Sequence, residues 1–175
     1  MALGGRKPER GSAVGASRIR FFRAILGNES RPLGSSMSQP VCPDVLVCVC
    51  ANCIPQGGRL PRQWDQDGAK VLVREVPCSG KIDAQYLFHA LEAGGRGVCV
   101  VTCPKGECQL AQGNYRAEIR VHTVQRLLAE MQLEPQRVEL VHGSADDSHE
   151  QLEQLVRGAV GRICALGESP LHAAT

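Results

Sequence analysis

The sequence predicts an α/β fold: a single domain with about four parallel strands flanked by helices, following a flexible N-terminal leader. Three observations carry that expectation. Four short runs rich in Val and Leu are bounded by Gly and Pro, as buried strands are. Longer segments with helical apolar spacing separate the later runs, which is the pattern of βαβ units and right-handed crossovers. Cysteines, nine in all, recur where the runs end.

The first run covers 41–49 (VCPDVLVCV), the second 71–76 (VLVREV), the third 97–102 (GVCVVT) and the fourth 138–141 (VELV). Each reads as a short strand, because β-branched side chains suit a pleated surface buried on both faces. Between the second and third, residues 83–93 place Tyr86, Leu87, Ala90 and Leu91 on one helical face, and Gly94-Gly95 supplies a stop. Residues 115–133 are expected to form a second helix with Ile119, Val121, Leu127, Leu128 and Met131 inward. A third, over 146–165, carries Leu152, Leu155, Val156, Val160 and Ile163. Residues 54–70 are rich in Gly, Pro and Gln and read as an irregular loop or a poor short helix.

The expected domain organisation is a leader over 1–40, an α/β domain over 41–167 and a C-terminal tail over 168–175. The leader holds seven basic residues against Glu9 and Glu29, and its one apolar patch, 21–26, is too short and broken for a signal-peptide core. It reads as disordered.

Composition excludes several functions. The chain has 175 residues with a net charge of +2, so no general electrostatic pull toward nucleic acid is expected. Aromatics make up 3%, too few for a base-stacking platform. No apolar stretch approaches the ~20 residues of a membrane span. A cytoplasmic protein without a nucleic-acid partner and without a membrane span is the expectation. No dinucleotide or phosphate-loop signature is present, and the five histidines form no i, i+4 ligand pair.

The chemistry therefore rests on thiols. Cys50 and Cys53 follow the first strand, Cys78 the second, and Cys103 and Cys108 the third. In a parallel sheet those carboxyl ends share one edge, with strands about 4.8 Å apart, so loops leaving it can bring all five together. Cys-x-x-Cys at 50–53 and Cys-x4-Cys at 103–108 each make a two-thiolate clip, suited to iron–sulfur clusters and to zinc. Four thiolates satisfy one cluster, and which four of the five stays open. Cys42, Cys99 and Cys164 read as structural thiols, and Cys48 as a fallback ligand. Arg116 and Arg120, one turn apart, belong either to a solvated helix face or to the edge of the site. A zinc-stabilised interaction module, and a thiol–disulfide oxidoreductase using Cys50 and Cys53, are the alternatives.

The ordered series Cys50-Ala-Asn-Cys53, Pro77-Cys78-Ser79-Gly80-Lys81-Ile82-Asp83 and Cys103-Pro-Lys-Gly106-Glu107-Cys108, followed by Gly113-Asn114-Tyr115-Arg116-Ala-Glu-Ile-Arg120, resembles the delta (iron–sulfur) subunit of methyl-viologen-reducing hydrogenase. The same domain is found fused to the flavin-containing A-type chain of heterodisulfide reductase. Asn52, Lys81 and Pro104 stand where that family usually has an aromatic residue, Arg and His. The resemblance implies a [2Fe–2S] cluster held by four of Cys50, Cys53, Cys78, Cys103 and Cys108. It also implies an electron-transfer component rather than a stand-alone enzyme. Its partners would be a hydrogenase or formate dehydrogenase module and a flavin-containing, heterodisulfide reductase A-like subunit.

Overall fold

The computed structural model describes residues 43–173, so the expected leader, Cys42 and the last two residues of the tail lie outside it. Five strands form one sheet in the order β2-β3-β1-β4-β5. They are β1 (Val45–Cys50), β2 (Gln63–Gln66), β3 (Ala69–Val76), β4 (Gly97–Thr102) and β5 (Val138–His142). β1 pairs in parallel with β3 and with β4, and β4 pairs in parallel with β5. Every residue of β1 and β4 is buried, which is why both read as unbroken apolar runs: central parallel strands are covered on both faces.

Helices α1 (Ala84–Glu92) and α2 (Gly113–Glu130) cover one face, and α3 (His149–Ala165) covers the other; α4 (Pro170–Ala173) is a single turn. The two faces bury separate apolar clusters. Leu87 and Leu91 of α1 and Val121, Val124 and Leu128 of α2 meet Leu46, Val98 and Val100 on one side. Leu152, Val156, Val160 and Ile163 of α3 meet Val45, Val47, Val71 and Val101 on the other. Asp83 caps α1 through the Gln85 backbone N–H, and Ser148 with Gln151 forms a capping box on α3.

Two expectations are corrected. The segment 54–70 is not wholly irregular, because β2 pairs antiparallel with β3 across Asp67-Gly68. Both turn residues have positive φ, 49° and 71°, the conformation of a tight hairpin whose twist matches its strands. The inward stripe of α2 also differs from expectation. Ala117, Val121, Val124 and Leu128 are buried, whereas Ile119 and Met131 are 65% and 51% exposed.

Among the described residues no helix is long and apolar enough to cross a membrane.

Candidate metal centre

Each cysteine of the site is placed by a strand end. Cys50 is the last residue of β1, and a 3-10 turn over Ala51–Cys53 swings Cys53 back beneath it. Cys78 leaves β3 two residues after its end and opens a second 3-10 turn, Ser79–Lys81. Cys103 directly follows β4, and Cys108 lies on the loop that carries the chain into α2. The parallel register brings these ends to one edge, as expected from the sequence.

The Cys103 sulfur lies 3.7 Å from that of Cys50 and 3.6 Å from that of Cys53. All three sulfurs are within 4.8 Å of one another. Cys78 and Cys108 make a second pair, linked by a side-chain hydrogen bond. That pair sits against the start of α2 at Gly113. A Cβ at Gly113 would fall inside the contact distance of the Cys78 sulfur and 3.1 Å from the Cys108 sulfur. Only a residue without a side chain lets the helix come this close. Between the two groups lies a cavity of about 440 Å³ lined by Cys50, Cys78, Cys103 and Cys108, with Ala51, Asn52, Pro77, Gln109 and Leu110 completing its wall.

The loops aim N–H groups at the sulfurs. Cys50 receives a hydrogen bond from the Cys53 thiol and from the backbone N–H groups of Ser79 and Asn52, and these hold it down to about 5 against the opposing effect of burial. Burial also works against ionisation of Cys108. There the backbone N–H groups of Asn114, Leu110 and Gly113 outweigh it and hold the thiol below its usual value. The Gly113 and Asn114 amides are the first, unsatisfied ones of α2, where a helix N-terminus favours negative charge, and the Leu110 amide comes from the loop before it. Burial pushes Cys78 up against the Gly80 N–H, and pushes Cys103 up against the side-chain amide of Asn52. Asn52 Nδ2 donates to the Cys103 sulfur at 3.3 Å. Cys53 moves far the other way from Cys50, because its S–H donates to Cys50 and because it is buried.

A surrounding frame fixes the loops. The Ser79 and Thr102 hydroxyls, both buried, are 2.7 Å apart and tie the Cys78 loop to the end of β4. Arg120 Nη1 donates to the Gly80 and Ile82 carbonyls at 2.7 and 2.8 Å. Asn114 Nδ2 donates to the Pro104 carbonyl at 2.7 Å, and His142 Nδ1 donates to the Cys103 carbonyl at 3.3 Å.

The five cysteines singled out from the sequence thus gather at one place. Cys48, the fallback, packs into the apolar cluster under α1 and α2, and burial pushes its thiol up to about 12. Cys99 and Cys164 are buried in the opposite cluster, as structural thiols are. Arg120 belongs to the frame and is no part of a purely solvated face, while Arg116 is exposed. Asn52, Ser79, Thr102 and Asn114 are not singled out by spacing. Their neighbours in sequence, Cys53, Cys78, Cys103 and Gly113, are the available signal.

Residues 45–167 match the family model described as methyl-viologen-reducing hydrogenase, delta subunit (FlpD). The chain belongs to this family. It is also 33% identical over 105 residues to the iron-sulfur subunit of the F420-non-reducing hydrogenase of Archaeoglobus profundus, covering 59% of this chain and 77% of that protein. To the vhu iron-sulfur subunit of the F420-non-reducing hydrogenase of Methanocaldococcus jannaschii it is 34% identical, covering 60% and 78%. A shorter stretch, 32% identical over 75 residues, matches the A-type chain of the ferredoxin:CoB-CoM heterodisulfide reductase of Methanosarcina mazei, covering 43% of this chain and 10% of that one. The delta-subunit sequence is therefore met both as a separate chain and within a longer reductase polypeptide. An electron-transfer-related role and a site for a metal or iron–sulfur group agree with these names and with the gathered thiols.

Proposed function

We propose that the chain is an iron–sulfur electron-transfer component holding one [2Fe–2S] cluster. Cys50, Cys53, Cys78, Cys103 and Cys108 offer the thiolates, four of them serving as ligands. It would relay electrons between a hydrogenase or formate dehydrogenase module and a flavin-containing, heterodisulfide reductase A-like subunit. We place it in the cytoplasm, the reducing compartment in which the eight unpaired thiols among the described residues persist.

The observation that carries this reading is the convergence of five thiols from three strand ends at one sheet edge, four of them lining one cavity and Cys53 grouped with Cys50 and Cys103. The donor set fits the group: thiolate sulfur is the ligand of iron–sulfur clusters, and two of the thiols are already held below their usual values by N–H donors. When bound, such a cluster takes up and releases one electron at a time.

The chain's own residues would do the rest. The N–H groups of Ser79, Asn52, Gly80, Gly113 and Asn114 stabilise charge on the sulfurs, an effect that favours the reduced form. Ser79, Thr102 and Arg120 keep the loops in place, so the distance to a partner's cofactor is set by strand ends rather than by mobile chain. Leu110, 62% exposed, borders the cavity and leaves its mouth open to an approaching partner.

The test is anaerobic purification followed by iron, sulfide and zinc analysis and EPR of the dithionite-reduced protein. About two irons and two sulfides per chain, as a [2Fe–2S] cluster requires, support the reading. Cys78→Ser and Cys103→Ser should lose the cluster and Cys99→Ser should keep it. Zinc without labile sulfide, persisting after iron–sulfur reconstitution, overturns it in favour of a structural module. Metal-free turnover of a model disulfide that depends on Cys53 overturns it in favour of a thiol–disulfide enzyme.

A further inference from the structure

The end of β1 and the loop after β4 are joined by one side chain that is not a thiol. Strand pairing between β1 and β4 ends at Val49 and Val101. Beyond that point, among the described residues, the hydrogen bonds from Cys50 and its turn to the 103–112 loop come from the thiols and from Asn52. Asn52 sits in the 3-10 turn Ala51–Cys53 and on the wall of the cavity. Its Nδ2 lies 3.3 Å from the Cys103 sulfur and 3.5 Å from the Glu107 carbonyl oxygen, 51 and 55 positions further along the chain. Both neighbours are acceptors, so the amide turns its nitrogen to them, and that nitrogen has two hydrogens to give. Glu107 is held from other directions as well. The Ser144 hydroxyl, just past β5, donates to its carboxylate at 3.0 Å. Its own N–H closes a turn on the Pro104 carbonyl at 3.2 Å, with Gly106 at a φ of 91°.

We propose that Asn52 is a positioning residue of the metal centre: its amide nitrogen clamps the Cys103–Cys108 loop to the Cys50–Cys53 turn and places an N–H on a ligand sulfur, and so helps to set the potential of the group held there. This inference rests on the proposed cluster, with Cys103 among its ligands, and deepens it. An asparagine that served only its own turn would bond the backbone of that turn. Here both partners belong to the other loop. When the thiolates turn to a metal they give up the hydrogen bonds they make to one another, and the Asn52 amide still joins the two loops. An N–H on a ligating sulfur stabilises the more negative, reduced state, which is why the potentials of iron–sulfur groups depend on such donors. Removal of an outer-sphere partner of this kind commonly costs about 10–100-fold in metal affinity.

The experiment compares the full-length wild type with Asn52→Leu, Asn52→Asp and Asn52→Gln, each purified anaerobically. It reads iron, sulfide and zinc per chain, the midpoint potential by EPR-monitored reduction, and amide exchange at 105–108 in the metal-free forms. Asn52→Leu fills similar space without a donor and should show a midpoint shifted to more negative potential. Asn52→Asp keeps the shape but only accepts and carries charge, so it should shift further in the same direction. Asn52→Gln, with its amide on a longer arm, should recover part of the shift. In the metal-free chains exchange at 105–108 should quicken in Asn52→Leu and Asn52→Asp, and less in Asn52→Gln. An unchanged midpoint in both Asn52→Leu and Asn52→Asp overturns the inference, and so does a shift in Asn52→Gln as large as that in Asn52→Leu. If the Leu and Asp variants fail to load, the metal-free chains decide it: exchange at 105–108 equal to wild type overturns the clamp, and faster exchange there alone supports it. A wild type that holds zinc and no sulfide overturns the proposed cluster instead. The clamp is then read from the same exchange and from zinc retention against a chelator, weaker by about 10–100-fold in Asn52→Leu, with unchanged retention overturning it.

Discussion

At the scale of single residues, the site depends on a missing side chain as much as on its thiols. Gly113 lets the first turn of α2 touch the Cys78 and Cys108 sulfurs together. Gly80 reciprocates from the other loop, since a Cβ there would lie 2.7 Å from Gly113 Cα. Two glycines back to back therefore close the gap between the Cys78 loop and the helix. Gly113→Ala should push the Cys78 sulfur out of place while leaving the sheet intact, because the helix otherwise gains a residue of better propensity. The expected outcome is metal retention weaker by at least about tenfold, as for other disturbances next to a ligand. Circular dichroism and thermal unfolding of the metal-free form should stay close to wild type. Metal analysis after gel filtration against a chelator reads the difference, and unchanged retention would show that the contact is slack.

At the scale of elements, Arg120 ties α2 to the Cys78 loop. One guanidinium nitrogen bridges the Gly80 and Ile82 carbonyls, and the Arg side chain spans from the second turn of α2. Removing a charged donor from partly buried carbonyls costs about 1–3 kcal/mol. Arg120→Ala should therefore lower the thermal stability of the metal-free chain by that order and speed amide exchange at 79–82, whereas Arg120→Lys, able to reach one carbonyl, should recover part of both. Equal exchange at 79–82 in all three forms would remove Arg120 from the frame. The same scale shows what is legible in the sequence. β4 is found where its apolar run lies, because a strand buried on both faces writes its position directly into composition. β2 escapes such a reading because Gln63, Trp64, Asp65 and Gln66 form an edge strand, only alternately covered, whose pairing is decided by the Asp67-Gly68 turn. The face of α2 is misread because its inward stripe is built from small residues, Ala117, Val121 and Val124, while the larger Ile119 faces out. The five thiols are legible because strand ends in a parallel sheet share an edge. Their hydrogen-bond donors are not, because backbone amides carry no residue signature and Asn52, Ser79 and Thr102 are ordinary loop residues until the fold brings them together.

At the scale of the whole molecule, the core and the site are held by different forces. Apolar clusters on both faces of the sheet enclose Val45, Val47, Val49, Val98, Val100 and Val101 at or near zero exposure without help from the cavity edge. At the opposite end of the sheet the buried Arg137 binds Glu134 and the carbonyls of Arg96, Gly167 and Glu168, fastening the end of α3 without any thiol. The end of β1 and the loops 51–53, 77–82 and 103–112, by contrast, bring together four cavity-lining sulfurs, two of which favour negative charge. In the metal-free chain those sulfurs repel one another when ionised, and the hydrogen bonds of the loops oppose that repulsion. Removal of the metal should therefore loosen the loops while the strands stay closed. The loaded chain should melt at higher temperature, since a ligand held at about 1,000 times its dissociation constant adds about 4 kcal/mol to the folded state. Amide exchange before and after chelation separates this from a metal-dependent fold. Faster exchange confined to the three loops, with β1 and β4 still protected, is the expected pattern, because local opening follows the parts with the fewest apolar contacts. Exchange that rises across β1 and β4 as well would mean that the sheet closes only around the metal, and that the thiols are part of the core's own stability.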